Sequence, residues 1–150
     1  MLLNVQWQKN MQLIDTNVIL RCILNDVPEM SQRAATIIEN GAYTKPEIIA
    51  EVVYVLRSVY STPKEKIKSI LHDVSEIVQI ESSESVLYAI DLFADTSLDF
   101  VDCLLVAYHV LNGENVFTFD KKTKQIFVCS SKEHTTIRTE STHSKNHCIV

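Results

Sequence analysis

The chain has 150 residues, 46% of them hydrophobic, which is enough apolar material for a single self-supporting core. Its net charge of −5 argues against a nucleic-acid binder of the basic-patch kind, although bound divalent cations would reverse the charge around a nuclease site. The four cysteines include no CxxC pair, so a zinc module is not expected and a reduced, cytoplasmic setting fits best. No apolar run approaches the roughly 20 residues that a membrane helix needs, and no signal peptide is expected.

Short β-rich runs alternate with segments of helical spacing along the chain. Strands are predicted, in chain order, over residues 11–15, 42–44, 77–80, 116–119 and 127–128. Helices are predicted over residues 18–24, 30–40, 47–60, 62–74, 84–94 and 98–111. Gly41 and Gly113 follow two of these helices at the place of a left-handed C-cap, and Pro46 fits a first helical turn.

This alternation predicts an α/β fold, a three-layer α/β/α sandwich around a short, mainly parallel central sheet. The domain is expected over 11–128, after an N-terminal extension over 1–10 and before a polar, flexible tail over 129–150. Functional residues gather at the carboxyl ends of parallel strands. Asp15 and Asp120, each predicted to end a strand, are therefore expected to lie close together.

Four carboxylates interrupt or end apolar runs: Asp15, Glu51, Asp102 and Asp120. Such a group is costly to desolvate unless something compensates its charge. Each carboxylate also has an ordinary structural explanation that needs no metal. The two strand-end aspartates suit turns or helix caps, Glu51 suits an exposed stripe of its helix, and Asp102 suits the first turn of a helix. Together, with few buried cations to pair with, they suggest a shared divalent metal site.

Four side chains next to these carboxylates are predicted to support the site: Thr16, Asn17, Thr118 and Asp99. The three neutral ones would hydrogen-bond a carboxylate, a metal-bound water or a phosphate oxygen. Asp99 stands three residues before Asp102 at the start of the same helix and suits an N-cap better than a metal ligand. His109 lies two helical turns beyond Asp102 and is expected to be an ordinary helix histidine.

The order and context of these residues resemble a PIN domain, specifically a small toxin ribonuclease of the VapC type. The likeness runs from Met11 to about Val128. Four segments carry it: Leu13-Ile14-Asp15-Thr16-Asn17, Pro46-Glu47-Ile48-Ile49-Ala50-Glu51, Phe100-Val101-Asp102-Cys103-Leu104-Leu105, and Thr118-Phe119-Asp120 with lysines after it.

The resemblance implies metal-dependent endonucleolytic hydrolysis of RNA, with Asp15, Glu51, Asp102 and Asp120 as catalytic residues that hold Mg²⁺ or Mn²⁺. It also implies a homodimer and a cognate antitoxin protein, for which the helices over 30–40 and 46–60 are the expected contact surface. Cations that border the acids are candidates for positioning RNA phosphates: Arg21, Lys121, Lys122 and Lys124.

Two alternatives stay open beside the nuclease. One is a PIN-fold module that has lost catalysis and binds RNA or protein. The other is a phosphohydrolase of the haloacid dehalogenase type with Asp15 as its nucleophile, which usually needs a second Asp where this chain has Asn17.

Overall fold

The computed structural model describes residues 11–127, so the predicted extension over 1–10 and the predicted tail over 129–150 lie outside the described residues. The elements, in chain order, are β1 (Gln12–Leu13), α1 (Thr16–Leu24), α2 (Pro28–Glu39), β2 (Ala42–Thr44), α3 (Pro46–Ser58), α4 (Lys64–Ile77), β3 (Gln79–Ile80), α5 (Ser83–Asp95) and α6 (Phe100–Asn112). Residues 121–127 are helical as well. All six predicted helices are confirmed, with ends that differ by at most three residues.

The three strands form one short parallel sheet in the order β1-β2-β3. Gln12 lies opposite Ala42, and Tyr43 lies opposite Gln79. Parallel neighbours need a crossover connection, which α1 and α2 supply between the first two strands and α3 and α4 supply between the last two. The predicted α/β class, with helices around a short parallel sheet in a PIN-like α/β/α arrangement, is confirmed.

Helix α3 lies at the centre of the helical packing and contacts α1, α4 and α6. Its buried side chains, Ile49, Val52, Val53 and Leu56, follow the spacing of one helical face. Glu51 falls between them on the exposed side. The packing of α3 therefore brings the helices that carry three of the four carboxylates next to one another.

The strand predicted over 116–119 is wrong. This segment has no strand pairing, and Phe117 and Phe119 are 77% and 86% exposed while Val116 and Thr118 are half-buried. Strand propensity measures how well a side chain fits a pleated, half-buried surface. Such a surface forms only when a neighbouring strand pairs with the segment, and this segment has no such neighbour. The edge strand predicted over 127–128 is wrong at its first residue, which is helical, and its second lies outside the described residues.

Lys64 stabilises the connection between α5 and α6 through hydrogen bonds and a contact with an aromatic ring. Its Nζ donates to the carbonyl oxygens of Thr96 and Leu98, both at 2.8 Å, and lies 4.1 Å from the centroid of the Phe93 ring. Burial lowers the pKa of Lys64. The ammonium group thereby holds the loop that leads directly into Asp99 and the first turn of α6.

Replacement of Lys64 by Met is expected to lower the free energy of unfolding by about 1 kcal/mol, because two carbonyl oxygens lose a charged donor. Urea denaturation monitored by circular dichroism measures this change. The control is Lys66→Met, at an exposed lysine of the same helix, which should leave stability unchanged. Equal destabilisation by both substitutions would contradict a specific stabilisation of the α5–α6 connection by Lys64.

None of the helices within residues 11–127 combines the length and the hydropathy needed to span a bilayer.

Candidate active site

Asp15 and Glu51 form the first pair of carboxylates, joined through Thr16. Asp15 follows β1 closely and is the N-cap of α1, where its Oδ1 accepts the N–H of Val18 at 3.0 Å. The buried Thr16 hydroxyl donates to Glu51 Oε2 at 2.7 Å. Because Thr16 is adjacent to Asp15 in the chain, this bond holds the Glu51 carboxylate of α3 close to the start of α1.

Thr16 and Asn17 both lie inside α1, and Asp15 is its cap. The cap hydrogen bond uses one carboxylate oxygen of Asp15. A carboxylate has a second oxygen with its own lone pairs, so the cap role is compatible with metal ligation.

Asp102 and Asp120 form the second pair, with Thr123 beside both. Asp102 is the third residue of α6 and is half-buried. Asp120 precedes the helical segment over 121–127, and its Oδ1 accepts both the N–H of Thr123 at 2.8 Å and the Thr123 hydroxyl at 2.9 Å. The Thr123 side chain is completely buried, and its hydroxyl also acts on Asp102, whose pKa it lowers.

The two carboxyl groups of this second pair have opposite pKa shifts. Burial, and then the negative charges of Asp120 and Asp99, raise the pKa of Asp102 despite the opposing effect of the Thr123 side chain. The backbone N–H and the hydroxyl of Thr123 lower the pKa of Asp120. Two neighbouring negative charges therefore disfavour the ionised form of Asp102.

The donor chemistry of the four carboxylates fits a hard divalent cation, because such ions prefer carboxylate oxygen and would relieve the repulsion around Asp102. The structure gathers the acids as two pairs. Within residues 11–127, no three His, Cys, Asp or Glu side chains lie together as a metal-binding group.

The remaining predicted site residues have defined positions. Asp99 occupies the N-cap position of α6 without a side-chain cap hydrogen bond, although its charge acts on Asp102. The Thr118 hydroxyl accepts the N–H of Asp120 at 3.1 Å. The prediction that Asp120 ends a strand is wrong, because it follows an unpaired segment and caps a helical one.

The side chains of Arg21 and His109 both contact neighbouring residues. The Nη1 of Arg21 donates to both carboxylate oxygens of Asp26, at 2.7 and 2.8 Å. His109 Nδ1 lies 2.8 Å from the carbonyl oxygen of Glu114, and its ring packs against Phe127 with centroids 4.8 Å apart. The contacts of His109 agree with its predicted role as an ordinary helix histidine.

Sequence reasoning missed Thr123. Its signal was present, because Asp120-Lys121-Lys122-Thr123 has the spacing of an N-cap aspartate and a third helical residue.

A groove of about 310 Å³ lies between α1 and α2 and reaches Asp15 and Asn17. Val18, Ala34 and Ile37 contribute apolar surface to it, and Met30, Arg21 and Arg33 also line it. The groove thus combines an apolar lining, two guanidinium groups and one carboxylate of the first pair.

Comparison with known families gives one result. The family model described as PIN domain matches residues 13–127, a range that contains all four carboxylates. No curated protein and no solved structure matches the chain.

Proposed function

This chain belongs to the PIN domain family, whose members are generally nucleases that use divalent metal ions, and on that premise we propose that it is a metal-dependent endoribonuclease, the VapC-type toxin of a toxin–antitoxin pair. The observation that carries the proposal is the pairing of acids distant in sequence. Thr16, next to Asp15 in the chain, donates to Glu51. Thr123 donates to Asp120, whose charge acts on Asp102.

Asp15, Glu51, Asp102 and Asp120 would hold Mg²⁺ or Mn²⁺. When bound, the cation would offset charge on the scissile phosphate and make a bound water more acidic. Thr16 and Thr123 orient the carboxylates through their hydroxyl groups, which limits the rotamers that the acids sample.

Lys121 and Lys122 are exposed immediately after Asp120 and are the proposed contacts to RNA phosphates. Arg21 is a weaker candidate for this role, because Asp26 already occupies its guanidinium group. An RNA contact by Arg21 would have to compete with that ion pair.

The groove between α1 and α2 is the proposed contact for the antitoxin. Met30 is 51% exposed at this groove, so an apolar antitoxin side chain would cover a surface that is otherwise costly to hydrate. The carboxylate of Asp15 in the same groove would accept an antitoxin arginine. The proposal also includes a homodimer, which sedimentation analysis of the purified chain tests.

The test is incubation of the purified chain with single-stranded RNA and Mg²⁺ or Mn²⁺, followed by denaturing electrophoresis. We expect internal cleavage that EDTA abolishes and that added Mg²⁺ or Mn²⁺ restores. Cleavage that persists in EDTA would contradict the metal dependence. RNA binding without cleavage at any cation concentration would favour the alternative, a PIN-fold module without catalysis.

A further inference from the structure

Phe117 and Phe119 are the two most exposed large apolar side chains within residues 11–127, at 77% and 86%. They alternate with Val116 and Thr118, which are half-buried. The segment therefore has the period of extended chain, with one side facing the protein and both phenyl rings facing outward. The hydrogen bond from the Asp120 N–H to Thr118 holds the segment where it enters the helical residues.

The two rings lie beside one lysine, and two more lysines belong to the same helical turn as that one. Their centroids are 5.2 Å apart and their planes are nearly perpendicular, at 87°. Lys124 Nζ lies 5.6 Å from the centroid of Phe117 and 5.9 Å from that of Phe119. Lys121 and Lys122 are exposed in the same helical turn. We refer to these five residues as the aromatic–lysine patch.

We propose that the aromatic–lysine patch binds single-stranded RNA, with unpaired bases stacked on Phe117 and Phe119 and phosphates near the three lysines. The inference rests on the proposed function and adds a surface, outside the carboxylate pairs, that would hold the unpaired bases of the substrate. Exposed aromatic rings beside positive charge are the combination by which proteins bind single-stranded nucleic acid without sequence readout. Because the two rings are perpendicular, their faces point in different directions. Two successive bases could each stack on one ring, whereas a single base could not stack on both.

The position of the patch supports RNA over other occupants. Phe119 is adjacent to Asp120, so a strand stacked on the rings would run directly past the second carboxylate pair. A second copy of the chain is a poorer occupant, because a two-fold contact centred here would place the same three lysines opposite their own copies. The lysines concentrate positive charge locally in a chain whose net charge is −5.

The test measures binding by fluorescence anisotropy, with the full chain carrying Asp102→Asn so that the RNA stays intact. The probe is a labelled RNA of about 8 nucleotides, a length within the site size of single-strand binding folds. We expect Phe119→Ala and Phe117→Ala each to weaken binding about 10-fold, the loss typical of one stacking contact. Phe119→Tyr should retain the affinity, and Ile77→Ala, at an exposed apolar residue of α4, should not change it.

The same RNA annealed to its complement distinguishes stacking from general electrostatic attraction. Duplex affinity should be unchanged by Phe119→Ala, because paired bases are not available to the ring. Substitution of Lys122 by Gln should reduce the slope of log affinity against log salt by about 0.7 for the single strand, whereas Lys66→Gln should leave it unchanged.

Unchanged single-strand affinity in both alanine variants would overturn the inference. Loss of dimer in sedimentation with unchanged RNA affinity would overturn it too and would assign the patch to a second copy. Because binding is measured without cleavage, a wild-type chain that binds through its aromatic rings but cleaves nothing would refute the nuclease and leave the inference standing.

Discussion

Asp102→Asn is expected to lower the turnover number for RNA cleavage by about 10²- to 10³-fold, the loss usual for one group that stabilises charge in a reacting site. The amide keeps the size of the side chain, but it supplies no negative charge for a cation. Cleavage of a labelled RNA under single-turnover conditions with excess Mg²⁺ measures the change.

The same substitution is expected to raise stability. The pKa of Asp102 is raised in the folded chain by burial and by Asp120 and Asp99, so the folded state binds this proton more tightly than the unfolded state does. Ionisation of Asp102 therefore costs stability at neutral pH, and Asp102→Asn removes that cost. The gain should shrink as the pH falls through the raised folded-state pKa and should vanish below about 4, where the wild-type carboxyl group is protonated in both states.

Thermal denaturation at neutral and acidic pH, with and without Mg²⁺, tests the stability effect. In Mg²⁺ the wild-type chain should gain more in melting temperature than the Asp102→Asn variant, because ligand binding to the folded state stabilises it. Asp73→Asn, at an exposed aspartate of α4, is the matched control for charge alone. Lost activity together with lost stability would indicate a structural role for Asp102 instead.

Thr123→Val is expected to lower the free energy of unfolding by about 1–2 kcal/mol, because a buried hydroxyl that donates to the Asp120 carboxylate is replaced by a methyl group. The backbone N–H of Thr123 still donates to Asp120, so the helical cap is weakened rather than lost. We also expect RNA cleavage to fall about 10- to 100-fold, the range seen when a group that orients a metal ligand is removed.

Two further variants separate positioning from general loss of structure. Thr123→Ser keeps the hydroxyl and should restore most of the cleavage. Thr36→Val, on the exposed side of α2, removes a hydroxyl that donates to the Gln32 carbonyl oxygen. It should change neither the free energy of unfolding nor RNA cleavage. Thr123→Val with wild-type cleavage would show that the hydroxyl does not position the acids, whatever its effect on stability.

The helices were predictable because their signals are local. The apolar face of α3 repeats at helical spacing, Pro46 lies in its first turn, and Gly113 has the left-handed backbone of a C-cap, with φ of 69°. Each of these signals lies within a few residues of the feature it specifies, so tertiary packing changed the helix ends by only a few residues.

The segment over 116–119 shows where local signals fail. Its alternation of Phe with Val and Thr favours a strand, but a strand also needs a neighbour to complete its hydrogen bonds. That neighbour is a property of the whole sheet, which in the described residues contains β1, β2 and β3 alone. The same alternation therefore produces an exposed pair of rings in place of a buried strand.

By itself the sequence determined which acids stand beside apolar segments, because apolar periodicity can be read along the chain. The desolvation inferred for these acids was wrong for Asp15, Glu51 and Asp120, which are exposed, whereas Asp102 is half-buried. Only the tertiary structure decided that Asp15 is linked to Glu51 and Asp102 to Asp120, and that Asp102 holds its proton more tightly than its partner does. The reason is that hydrogen bonding, burial and charge repulsion depend on distances in space, and the Thr16–Glu51 bond spans 35 positions of the chain.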